Sequence, residues 1–110
     1  MTTTKELREL YSALNRADLP DRNISSVYCG DLLSHVMGSA PEGAAWVTVM
    51  SNVNVIAVAS LTDVACVVIA EGGAPDDDAI AKADEHGVLI FKGSGRVFET
   101  ALEIYERIHV

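Results

Sequence analysis

The sequence predicts an α/β fold, a three-layer sandwich around a mostly parallel sheet of about four or five strands. Three observations predict it. Short Val- and Ala-rich apolar runs recur at 24–29, 45–50, 65–70 and 88–91. Each run is followed, after a few residues, by a stretch with helical spacing or a helix-capping residue. The run 65–70 is apolar without alternation, as in a strand covered on both faces. Such alternation with short links implies parallel neighbours joined by right-handed crossovers.

The opening segment reads as an amphipathic helix. Leu7, Leu10, Tyr11 and Leu14 follow the i, i+3, i+4, i+7 spacing of one face. Thr3 with Glu6 has the form of a capping box, and Asp18, Pro20 and Asp21 end the helix. Residues 1–19 are thus an N-terminal helix and 20–110 an α/β core, together a single domain. In the core, 24–29 is the first strand. Gly30-Asp31 makes the turn, and Asp31 caps a helix with Leu32, Leu33, Val36 and Met37 inward. The segment 38–43, with Pro41 and two glycines, is a loop. After the strand 45–50, Ser51 or Asn52 caps a helix with Val53, Ile56, Ala57, Ser60, Leu61 and Val64 on one face. Val55, Val58 and Ala59 lie off that stripe, so this helix is expected to be buried almost all round.

The strand 65–70 ends in the turn 71–75. Asp76, Asp77 and Asp78 open the next helix, where negative charge complements the macrodipole, and Gly87 closes it. The strand 88–91 leads through Lys92-Gly93-Ser94-Gly95 to a last helix, with Phe98, Ala101, Leu102, Tyr105 and Ile108 inward.

Bulk composition narrows the function. The chain has 110 residues and a formal net charge of -8. Eight basic residues spread along the chain form no patch that would displace counterions from phosphates, so nucleic acid and anionic membranes are disfavoured partners. The longest apolar stretch, 53–70, is broken by Asn54, Ser60 and Asp63 and does not read as a membrane span. The segment MTTTKELREL lacks the apolar centre of a signal peptide, so a cytoplasmic location is expected. Cys29 and Cys66 lie in apolar, strand-like surroundings without a CxxC partner, as buried reduced thiols do. A hydrophobic fraction of 49% in so short a chain suggests apolar surface facing a partner subunit.

Chemistry-bearing patterns are few. No GxxxxGK[ST] loop is present, and His35, His86 and His109 lack metal-ligand spacing, so no catalytic set, metal or cofactor is expected. In open parallel sheets ligands gather outside the carboxyl ends of the strands. Asp31, then Ser51, Asn52 and Asn54, then 71–73, then Lys92, Gly93, Ser94 and Gly95 fall there. Ser51, Asn52 and Asn54 with the Lys92 loop are the candidate pocket for a nucleotide or other small anionic metabolite. Helix capping, with Ser94 as N-cap of the last helix, is the competing explanation of these residues.

Three segments carry a resemblance. Asp21-Arg22 with Cys29-Gly30-Asp31-Leu32-Leu33-Ser34 and Val36-Met37 is the first. Trp46-Val47-Thr48 followed by Asn54-Val55-Ile56-Ala57-Val58-Ala59 is the second, and the strand and Gly-Gly turn 67–73 before an acidic helix with Ala83 is the third. Together they resemble DRTGG domains over about residues 20–108. The name-giving letters are absent, since Asn23-Ile24-Ser25-Ser26 follows Asp21-Arg22. The resemblance implies a regulatory or scaffolding module. Similar domains stand beside CBS pairs in some pyrophosphatases, within some phosphotransacetylases, and as the N-terminal domain of HPr kinase/phosphorylase. It also implies a homodimer. The expected function is a stand-alone non-catalytic regulatory or assembly domain. The alternatives are an interaction subunit of a larger metabolic or redox enzyme complex, and a phosphotransfer partner.

Overall fold

In the computed structural model, which describes residues 2–16, 18–93 and 95–109, the apolar run 65–70 lies at the middle of a five-stranded sheet. The strands are β1 (Ser12–Ala13), β2 (Ser26–Cys29), β3 (Ala44–Thr48), β4 (Cys66–Ile69) and β5 (Ile90–Lys92), in the spatial order β1-β5-β4-β3-β2. Strands β2 to β5 are mutually parallel, and β1 adds to β5 antiparallel. The α/β sandwich with a mostly parallel sheet is therefore the observed architecture.

Each strand from β2 to β5 is laid beside the one before it. Right-handed crossovers in one direction put their helices on one face. These are α2 (Leu33–Ser39), α3 (Val53–Thr62) and α4 (Asp77–His86). The last helix, α5 (Val97–Ile108), turns to the other face and packs back across β2 and β3. Helix α1 (Thr4–Leu7) joins α5 on that face through Leu7. Two cores result, one on each side of the sheet. Neighbouring strand residues alternate between them, so Trp46 enters the core under α2–α4 and Val47 the core under α5.

The N-terminal segment departs from the sequence reading. The helix expected through 1–19 ends at Leu7, and the chain then forms turns and the edge strand β1. Pairing with β5 is the physical reason. The Leu14 N–H donates to the Ile90 carbonyl at 2.8 Å. Asn15 Nδ2 donates to the Val88 carbonyl at 2.6 Å, and its Oδ1 accepts from the Ile90 N–H at 2.9 Å. Backbone partners on a buried strand outweigh a helix too short to be stable alone. Thr3 still caps α1, accepting from the Glu6 N–H. Leu7 and Tyr11 are buried as expected, against Phe91 and Ile104.

Three helices also bury faces other than those expected. In α2 the N-cap is Leu32, not Asp31, and Leu32 and Met37 are exposed while Val36 is buried. This helix runs through Gly38 to Ser39, so the following loop begins at Ala40 rather than Gly38. In α3 the buried residues are Val55, Ile56, Val58 and Ala59, whereas Val53, Ala57, Ser60 and Leu61 are exposed. A helix apolar at almost every position carries no periodic signal to set its rotation. In α5 the buried residues are Thr100 and Ile104, with Val97, Ala101 and Ile108 half-buried. Phe98, Leu102 and Tyr105 stand outside. The polar label on Thr100 conceals the inner face, because its methyl packs where a side chain on Gly93 would otherwise meet it. Helix α4 follows the sequence closely. Asp76 Oδ1 caps it by accepting from the Ala79 N–H at 2.9 Å, and Gly87 closes it at φ 68°.

Candidate functional site

The carboxyl ends of β2 to β5 share one edge of the sheet, as their parallel register requires. At the β2 end, the Asp31 carboxylate accepts from Thr48 Oγ1 at 2.6 Å and from the Val49 N–H at 2.9 Å. Trp46 Nε1 donates to the Gly30 carbonyl at 2.9 Å. Asp31 therefore ties the start of α2 to the end of β3 instead of capping α2.

At the β3 end, Asn52 caps α3. Its Oδ1 accepts from the Asn54 N–H at 3.0 Å and the Val55 N–H at 3.3 Å. Ser51 is half-buried there and Asn54 is exposed.

The β4 and β5 ends are knitted to each other. The Glu71 N–H donates to the Gly95 carbonyl at 2.7 Å, and the Gly93 N–H donates to the Ile69 carbonyl at 2.7 Å. Glu71 Oε2 accepts from the Val97 N–H at 3.0 Å, in the first turn of α5. This is where the helices change sides, α4 following β4 on one face and α5 following β5 on the other. Parallel sheets bind ligands at such a point. The structure thus brings the Lys92 loop together with Glu71, while Ser51, Asn52 and Asn54 lie across β4 at the head of α3. The N-cap of α5 is Arg96, so the expectation of Ser94 in that position is not met; Ser94 itself lies outside the described residues.

The Glu71 carboxylate holds the place an anion would take at the head of α5. A phosphate there must displace it. Glu71 also sits at φ 61°, in the left-handed region that disfavours side chains other than glycine. Glu71→Ala loses the cap and keeps the strained backbone, so urea unfolding is expected to show a loss of about 1 kcal/mol. Glu71→Gly loses the same cap but relaxes the backbone, and its loss is expected to be smaller. A Glu71→Ala chain as stable as the native one would show that the carboxylate contributes nothing to α5.

Among the described residues no group of three or more His, Cys, Asp or Glu is placed to hold a metal ion. Cys66 is buried as expected, but Cys29, at the end of β2, is exposed. Burial pushes the Cys66 thiol up to about 12, and Cys29 is raised by its desolvation and then by the charge on Asp31. Neither thiol is an activated nucleophile at neutral pH. Burial works against ionisation of Asp21, but its carboxylate stays below its ordinary value because Lys5 N–H and Thr4 Oγ1 donate to it. It thereby anchors α1.

A groove of about 240 Å³ lies between α5 and β2, lined by Val27, Cys29, Phe98, Ala101, Leu102 and Tyr105. The sequence shows the i, i+4, i+7 spacing of Phe98, Leu102 and Tyr105, but by itself that spacing reads as a core face. A second stripe through Val97, Thr100, Ala101, Ile104 and Ile108 competes with it, and that one faces the sheet. No helix among the described residues is long and apolar enough to cross a membrane. No protein-family model and no curated protein matches the chain.

Proposed function

We propose that this chain is a non-catalytic regulatory or assembly domain of the DRTGG type that works in the cytoplasm as a homodimer. The observation that carries the reading is the uncharged groove along α5, with Phe98 69%, Tyr105 52% and Leu102 41% exposed. Large apolar side chains are left out of a core only at a cost, and a contiguous patch of them marks a contact surface. The polar groups at the carboxyl edge of the sheet support the same reading, since Asp31, Asn52 and Glu71 are each engaged by backbone N–H groups. The DRTGG resemblance supports it through the segments that form β2 to α2, β3, α3, and β4 with its Gly-Gly turn.

Light scattering across a range of protein concentrations tests the proposal. A mass approaching twice the 11.7 kDa of the chain is expected. A chain that stays monomeric at every concentration would overturn the homodimer.

A further inference from the structure

We infer that two copies meet edge to edge about a two-fold axis normal to the sheet, β2 pairing antiparallel with β2 and the α5 flanks packing on one another. The inference rests on the homodimer reading and specifies its geometry. Strand β2 is a terminal strand of the sheet, with β3 its only neighbour among the described residues. An open strand edge is a template for a further strand. The apolar flank of α5 lies over that same edge, since Val27 and Cys29 of β2 form the floor of the groove whose wall is Phe98, Leu102 and Tyr105. A strand edge and a helix flank open toward the same side call for a partner offering both. A second copy does so by symmetry, because a two-fold contact uses one patch twice.

Charge placement favours this occupant. No charged side chain lines the groove. The acidic residues of α5, Glu99, Glu103 and Glu106, follow their own i, i+4, i+7 ridge and line a separate depression on the far side of Leu102. With the two-fold normal to the sheet, the uncharged flanks face each other and both acidic ridges stay in solvent. Helix α5 runs antiparallel to its copy, so Phe98 of one approaches Tyr105 of the other around a central pair of Leu102 side chains. The three side chains expose about 300 Å². To these the contact adds the backbone pairing of the β2 edge, against the ~800 Å² per partner of a standard interface. Leu61 is exposed too, but it belongs to α3, which crosses from β3 to β4 and lies off the open edge.

The test uses the native chain with Leu102→Glu, Phe98→Glu and, as control, Leu61→Glu. All three positions are exposed, and circular dichroism confirms folding of each variant. Light scattering is expected to show association weakened about 30-fold or more by either α5 substitution, the level of an interface hot spot, and unchanged by Leu61→Glu. In the native dimer Cys29 is expected to alkylate more slowly than in monomeric Leu102→Glu, with Cys66 protected in both until unfolding. Hydrogen exchange across residues 26–29 is expected to slow as the dimer forms. A dimer whose mass and affinity survive both α5 substitutions would leave the homodimer standing and overturn this geometry. Exchange across 26–29 that ignores protein concentration would overturn it as well. A native chain that is always monomeric removes the homodimer itself.

Discussion

Trp46→Ala is expected to lose about 3–5 kcal/mol of folding stability, the usual loss for a large aromatic removed from a core. Trp46 is fully buried in the middle of β3 and belongs to the core beneath α2, α3 and α4. No neighbouring element can collapse into the space without breaking the register of β3 with both β2 and β4. The ring also makes a specific bond, Nε1 to the Gly30 carbonyl at the start of the turn into α2. Trp46→Phe separates the two contributions. It keeps most of the volume and leaves the Gly30 carbonyl without that donor, at a cost of about 1–3 kcal/mol. Urea unfolding followed by far-ultraviolet circular dichroism reads both losses. Should Trp46→Ala unfold at the same midpoint as the native chain, the core beneath α2–α4 does not hold the molecule together.

Deletion of residues 1–19 is expected to abolish the folded state altogether. Leu7 and Tyr11 are buried, and the Tyr11 ring lies 6.4 Å from that of Phe91. Each large side chain lost from a core costs about 2–5 kcal/mol, while a domain of this size has about 5–15 kcal/mol in all. The deletion also strips β5 of its outer partner and frees the Ile90 N–H and the Val88 carbonyl that Asn15 satisfies. The Tyr11 hydroxyl, which donates to Glu103 at 2.6 Å, is lost from the middle of α5. The expected observation is a collapsed circular dichroism spectrum and narrow amide dispersion by NMR. A well-dispersed spectrum from the shortened chain would show that the N-terminal segment only decorates a core able to stand alone.

The alternation of strands and helices is legible because it is written in run length and punctuation. Apolar runs become β2 to β5, Asp76 and Gly87 bound α4 where a cap and a left-handed residue belong, and Asn52 caps α3. Rotation is not legible in the same way. Apolar spacing finds a stripe but not which stripe faces the sheet when two are present, and α5 carries two, one through Ile104 and one through Leu102. In α3 nearly every residue qualifies, so spacing decides nothing. The other hidden feature is β1, two residues whose strand character comes from β5, far along the chain. The candidate site is obscured for the same reason. The sequence places Asn52 and Lys92 at strand ends, but only strand order shows that β4 separates them and that Glu71 is the neighbour of the Lys92 loop.

The attachment of β1 to β5 has a consequence for synthesis. Successive strands from β2 onward find their neighbours soon after they are made. The N-terminal segment does not, since Tyr11 meets Thr100 89 residues further along. At ~5–20 residues per second on the ribosome, Leu7 and Tyr11 leave the exit tunnel several seconds before the surface that covers them. A segment made ahead of the core thus completes the fold last, and a nascent chain stalled short of β5 would carry it uncovered.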